Sequence, residues 1–142
     1  MKKALFIMAI LVCAFSATAE NGIYAGFGVV SDTENGLKNP LGFIGVNYRF
    51  GSAEVYGEHL SSFPNRNDKG LNMVGLNALA KVGRAEIYGG LAAHDRVFDS
   101  SAEGSGYGRD FPDVFLRAGV RCGWLFGEVL HDRFHGGVRI EF

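Results

Sequence analysis

The chain has 142 residues, with 14 basic and 15 acidic side chains that give a formal net charge of −1. This balance lacks the basic surplus of a nucleic-acid-binding protein, so we expect no nucleic-acid partner. Glycine is abundant at 21 residues, whereas the three prolines all fall in segments predicted below as loops.

The N-terminal segment has the pattern of a secretory leader. Lys2 and Lys3 precede an apolar run over residues 4–15, and small residues fill positions 16–19. This order predicts a signal peptide over 1–19 and a mature domain over 20–142. The run is shorter than the roughly 20 apolar residues that a spanning helix needs. Cys13 leaves a lipoprotein as an alternative, although Val12 does not fit the small residue expected before a lipidated cysteine.

Removal of this leader would change both the charge and the cysteine count. Twelve basic side chains would remain against 15 acidic ones, a net charge of about −3. Cys122 would be the only cysteine left, which excludes an intramolecular disulfide. Its parity places it on the apolar face, beside a short turn.

The remaining sequence predicts eight strands separated alternately by tight turns and longer loops. Alternation of apolar and polar residues is the signal for each strand. The predicted strands cover residues 22–30, 41–50, 53–62, 71–82, 85–95, 113–122, 124–132 and 137–142, and the longer loops cover 31–40, 63–70, 96–112 and 133–136.

A short motif recurs after the tight turns. Ala-Glu-Val-Tyr-Gly at 53–57 returns as Ala-Glu-Ile-Tyr-Gly at 85–89, with a related segment at 125–128. The motif repeats after each hairpin and the longer loop that follows it. Such spacing indicates an up-and-down meander of strands that closes into a barrel. We therefore predict an all-β fold, an eight-stranded antiparallel up-and-down transmembrane β-barrel. Outer-membrane barrels have their short turns on the periplasmic side, so both termini would be periplasmic. The alternative fold is a soluble β-sandwich.

Residue parity separates two faces of this sheet. One face is apolar and suits lipid, as in Val138, Ile140 and Phe142 of the last strand. The other face carries five bases and five acids. Because an eight-stranded barrel has room only for side chains, these charges should form a paired plug and not a pore. The ten residues are Arg49, Lys81, Arg117, Arg121, Arg139, Glu54, Glu58, Glu86, Glu128 and Glu141.

Two polar residues interrupt the apolar face on the third strand. His59 and Ser61 have outward parity near the outer rim, and the loop 63–70 follows them. This hairpin resembles that of the outer-membrane lipid A deacylases, small eight-stranded barrels with an active site on the outer wall. The resemblance implies that Ser61 is the nucleophile and that His59 is the base that takes its proton.

The acid that this resemblance implies after the loop is not at the expected position. Asn72 has the right parity, while Asp68 lies in the loop and Glu58 has the opposite parity. An asparagine can orient a catalytic histidine, as in Cys-His-Asn enzymes. The candidate catalytic residues are therefore His59, Ser61 and Asn72, with Asp68 as an alternative to Asn72.

Other polar residues near the outer rim have simpler interpretations. We expect no metal and no cofactor, and we interpret the His-Asp pairs at 94–95 and 131–132 and His135 as solvated turn residues, with a shared metal as the alternative. Basic loop residues should contact lipopolysaccharide phosphates. They are Arg66, Lys69, Arg96, Arg109 and Arg133.

These patterns lead to two functional hypotheses and a third weaker one. The first is an integral outer-membrane barrel with a structural or surface-interaction role, monomeric or weakly associating, whose partners are outer-membrane lipid and lipopolysaccharide. The alternative is a lipid A acyl-ester hydrolase. An adhesin, or a phage-encoded barrel that alters the cell surface, is the third and depends only on exposure of loop 96–112.

Overall fold

A computed structural model describes residues 21–32, 38–62, 70–98 and 111–142. The predicted leader and most of the loops at 63–70 and 96–112 lie outside these residues. Within the described ranges, no helix has the length and apolar character needed to cross a membrane.

Eight antiparallel strands form a closed barrel in which each strand pairs with its neighbours in the sequence and the last pairs with the first. The predicted all-β, up-and-down fold is therefore confirmed. A short 3₁₀ helix, Asp95–Val97, follows the fifth strand. The strands are β1 (Asn21–Asp32), β2 (Lys38–Phe50), β3 (Ala53–Ser62), β4 (Leu71–Val82), β5 (Ala85–His94), β6 (Val114–Cys122), β7 (Leu125–Leu130) and β8 (Arg133–Glu141).

The link between β7 and β8 differs from the prediction. A two-residue turn of His131 and Asp132 replaces the predicted loop 133–136, and β8 begins at Arg133. The alternation continues through this segment, since Phe134 is exposed and His135 is buried. The Gly136-Gly137 pair suggests a loop in the sequence, yet both glycines pair with β7. His131 adopts a φ of 58°, a left-handed conformation that permits the tight turn.

The outer wall of the barrel is apolar, as the parity predicts. Large hydrophobic side chains on every strand are 40% exposed or more, Phe27 at 63% and Leu116 at 69% among them. Cys122 is exposed near the end of β6, in agreement with its predicted outward parity.

The interior has two layers. Towards the short turns it is ionic, and eight of the ten predicted charges are mostly buried there. Seven of the eight form ion pairs with one another, and Arg139 pairs with Glu141. Lys81 and Glu141, which the sequence groups with them, are exposed. Towards the long loops the interior is apolar, a feature that the sequence analysis missed. That layer includes Leu41, Leu60, Leu71, Leu130, Phe111 and Phe115, each at most 4% exposed.

Aromatic side chains inside the barrel lie opposite glycines on the neighbouring strand. Five such pairs occur within the described strands, and a Cβ on Gly45 or Gly75 would come within 2.4 Å of the paired tyrosine. The rings of Tyr24, Tyr56 and Tyr88 thus occupy space that the glycines leave. The pairs are Tyr24 with Gly45, Phe43 with Gly26, Tyr56 with Gly75, Tyr88 with Gly119 and Phe126 with Gly137.

Candidate outer-wall site

His59 and Asn72 face each other across the β3–β4 pair. They are register partners, and His59 Nδ1 lies 2.6 Å from Asn72 Oδ1. Both side chains are on the outer wall, where Asn72 is exposed and His59 is half-buried. The structure therefore brings together the predicted histidine and the predicted orienting asparagine.

A carboxylate completes this row on a third strand. The Asn72 amide donates from Nδ2 to Asp95 Oδ2 over 3.0 Å, at the point where β5 passes into the 3₁₀ helix. The other oxygen of Asp95 lies 2.6 Å from Nδ1 of His94, whose side chain is 2% exposed and points into the barrel. His59, Asn72 and Asp95 thus form a continuous hydrogen-bonded row across three strands.

The chemistry of these groups fixes which atom donates and which accepts in each hydrogen bond of this row. An ionised carboxylate only accepts hydrogen bonds, so the amino group of Asn72 must face Asp95 and its carbonyl oxygen must face His59. That oxygen is itself an acceptor, so a neutral His59 must carry its proton on Nδ1. Nε2 then has a free lone pair, the state that a general base requires.

Ser61 lies two residues beyond His59 on the same strand. Side chains two apart share a face, and their Cα atoms are separated by about 7 Å in an extended strand. Ser61 is half-buried and pairs with Gly42 on β2, which places no side chain opposite the hydroxyl. The hydroxyl, the imidazole and the amide therefore occupy one patch of the outer wall.

The remaining candidate acids have different positions. Asp68 lies outside the described residues. Glu58 is in the interior, as its parity predicts, where it accepts hydrogen bonds from Tyr24 and Arg117 at 2.6 and 3.1 Å. It therefore belongs to the ionic layer and not to the outer-wall patch.

Sequence reasoning missed Asp95 as a neighbour of Asn72, although a signal for it was present. The two-residue turn Gly83-Arg84 sets the β4–β5 register, which pairs Met73 with His94. Extending that register by one position places residue 95 opposite residue 72. Because His94 points inward, Asp95 must then point outward, towards Asn72.

The histidines near the rim are not all solvated, which corrects the sequence interpretation. His94 and His135 are 2% and 0% exposed, and His135 Nδ1 lies 3.3 Å from Glu128 in the interior. His131 is exposed in its turn. Over the described ranges, no group of three or more His, Cys, Asp or Glu side chains could hold a metal ion.

Two of the basic residues assigned to lipopolysaccharide have contacts within the barrel rim. Arg96 bonds the carbonyl of Phe111 and lies 3.4 Å from Asp113. The Arg133 guanidinium stacks over the Phe111 ring at 5.0 Å. Arg66, Lys69 and Arg109 lie outside the described residues.

A cavity of about 320 Å³ opens at the opposite end of the barrel, beside the short turns. Arg49, Arg121 and Glu86 are in its wall, and each arginine pairs with Glu86 at 3.1 to 3.2 Å. The cavity is therefore the mouth of the ionic layer, remote from the outer-wall patch.

Comparisons of the chain with known protein families, curated proteins and solved structures give no match. Function is therefore inferred from the barrel and from its side chains.

Proposed function

We propose that this protein is an integral barrel of the bacterial outer membrane, with a structural or surface-interaction role. The observation that carries the proposal is the closed eight-stranded barrel with an apolar outer wall and a charged interior. In water, such a wall would expose far more contiguous apolar surface than soluble monomers do. In a membrane, lipid contacts the apolar wall while the charges stay inside the barrel. Barrel closure also leaves no strand edge with unpaired backbone groups.

Aromatic residues at the end with short turns fit a membrane interface. Trp124 is 76% exposed and Phe142 is 78% exposed, and the exposed Phe50 lies at the same end of the barrel, beside the β2–β3 turn. Outer-membrane barrels carry aromatic girdles at the interfaces and short turns on the periplasmic side. The proposed orientation puts these residues and both termini at the periplasmic surface, with the His59 patch near the outer leaflet.

Gel migration and cell fractionation test this proposal. Folded barrel should stay in the outer-membrane fraction and migrate differently on SDS gels before and after boiling. Deletion of residues 1–19 is the matched control and should leave the protein in the cytoplasm. A full-length chain that is soluble in the periplasm and gives one band under both conditions would exclude the membrane barrel.

A second candidate function is ester hydrolysis at the outer wall, with lipid A as the substrate that the family resemblance implies. The observation that favours it is the His59–Asn72 hydrogen bond of 2.6 Å on the same face as Ser61. Polar groups on a lipid-facing wall cost free energy, although the cost falls near the membrane interface. His59 and Ser61 are the polar side chains on the outward face of β3.

The proposed reaction follows the serine-esterase scheme. Ser61 Oγ attacks the ester carbonyl carbon while His59 Nε2 takes its proton. The carbon–oxygen bond to the sugar hydroxyl then breaks, and His59 returns the proton to that oxygen. Water attacks the acyl-serine in the second half, which releases a fatty acid and restores Ser61. An acyl chain in the membrane reaches the outer wall laterally, so the site needs no opening into the barrel.

Mass spectrometry of lipid A from expressing cells tests the hydrolase. The unmutated protein should remove one acyl chain, and Ser61→Ala and His59→Ala should each abolish the change. His131→Ala, in the exposed turn away from the patch, is the matched control and should retain activity. Identical lipid A in cells with and without the protein would exclude lipid A hydrolysis and leave the structural barrel.

A further inference from the structure

We infer that Asp95 is the acid of the outer-wall site and acts on His59 through the amide of Asn72. Asp95 is a positioning residue, since it contacts Asn72 and not the hydroxyl of Ser61 or its substrate. This inference rests on the proposed hydrolase for its role, but its first test does not depend on hydrolysis.

The side-chain amide of Asn72 connects Asp95 to His59 and so sets which nitrogen of His59 carries the proton. On its own an asparagine can turn either its oxygen or its amino group towards a histidine. With the amino group facing His59, Nδ1 would become the acceptor and the proton would move to Nε2, which could not then receive the proton of Ser61. The Asp95 carboxylate removes this choice, because it accepts the Asn72 amino group at 3.0 Å.

Asp95 is itself held in place. Its backbone is fixed at the start of the 3₁₀ helix, where the Phe98 N–H donates to the Asp95 carbonyl over 3.0 Å. The Arg96 N–H donates to Nδ1 of His94, and the Asp95 side chain is only 29% exposed. An anchored carboxylate behind a polar amide also stabilises the imidazolium that forms when His59 takes a proton. Asp95 thus combines the two contributions of the acid in a serine triad, with one residue inserted between the acid and the base.

The tautomer of His59 provides the first test. In ¹⁵N spectra of histidine-labelled barrel in detergent, His59 should carry its proton on Nδ1. Asp95→Asn should give a clear population of the Nε2-protonated form, because the new amide can accept or donate and no longer fixes the orientation of the Asn72 amide. Asp113→Asn is the matched control, an aspartate 68% exposed on the same rim that pairs with Arg96. His59 in the Nε2 form in the unmutated protein, or unchanged in Asp95→Asn, would overturn the inference.

A rescue by a second substitution gives the second test. Asp95→Asn should reduce kcat by about 10- to 100-fold, as for groups that orient a metal-bound histidine through its second nitrogen. Adding Asn72→Asp should restore both kcat and the Nδ1 tautomer, because a carboxylate at position 72 accepts directly from Nδ1. No rescue in a variant that retains the folded gel migration would contradict the relay. If the unmutated protein hydrolyses nothing, the hydrolase fails, and the tautomer experiment still decides the effect of Asp95.

Discussion

Arg117 donates from Nε to Glu128 Oε2 over 2.8 Å and so joins β6 to β7 inside the barrel. The same guanidinium donates from Nη2 to Glu58 on β3 at 3.1 Å and lies 4.5 Å from the centre of the Tyr56 ring. One buried cation, 3% exposed, therefore neutralises two carboxylates from distant strands.

Removal of this cation should destabilise the barrel strongly. Arg117→Met retains much of the side-chain volume but leaves Glu58 and Glu128 without their shared cation, at a cost of about 3 to 5 kcal/mol. Urea unfolding followed by gel migration measures the change. Lys81→Met is the matched control, because Lys81 is exposed and a surface substitution costs about 0.5 kcal/mol or less. Equal effects of the two substitutions would contradict the ionic layer as described.

The ring–glycine pairs lead to a second prediction about packing. Gly75→Ala would place a Cβ 2.4 Å from Tyr56 Oη and 2.6 Å from a backbone oxygen, so either the ring or the strand must move. Such overpacking costs about 1 to 3 kcal/mol. Gly89→Ala is the matched control, since its nearest neighbours would lie 3.9 Å away. We expect a lower urea midpoint for Gly75→Ala than for Gly89→Ala. Equal midpoints would show that the Tyr56 ring moves aside with no loss of stability.

The two-layer interior predicts that the barrel does not conduct ions. Leu60, Leu71 and Leu130, all 1% exposed or less, fill the end near the long loops, and the ionic layer fills the other end. In planar lipid bilayers the reconstituted protein should give no steady current, with a porin as the positive control. Arg117→Met should remain silent as well, because the apolar layer does not depend on it. Step currents from the unmutated protein would contradict this arrangement.

Most of the barrel could be predicted from the sequence because strand parity and turn glycines are local signals. Gly51, Gly83 and Gly123 adopt φ values of 61°, 63° and 59° in the tight turns, where a side chain would be strained. The error at β7–β8 has the same local origin. His131 takes the left-handed position there in place of a glycine, so the turn has no glycine to mark it.

The candidate site was predictable only in part, because its geometry depends on strand register. Parity alone puts His59 and Ser61 on one face, but the His59–Asn72 pairing crosses the loop 63–70, whose length does not fix a register. The Asn72–Asp95 pairing crosses a two-residue turn and could have been counted. The apolar inner layer was missed because Leu60 follows the polar inward residues Glu54, Tyr56 and Glu58 of β3 and resembles a strand end.

Thiol labelling predicts which end of the barrel faces the periplasm. Cys122 is exposed beside the short β6–β7 turn, which the proposed orientation places on the periplasmic side. A maleimide that cannot cross the outer membrane should therefore label Cys122 only after the membrane is permeabilised. Asp132→Cys in a Cys122→Ser background is the matched variant, because residue 132 is exposed in the turn at the other end, and it should react in intact cells. Labelling in the reverse order would show that the barrel has the opposite orientation. The His59 patch would then lie at the inner leaflet, out of reach of lipid A.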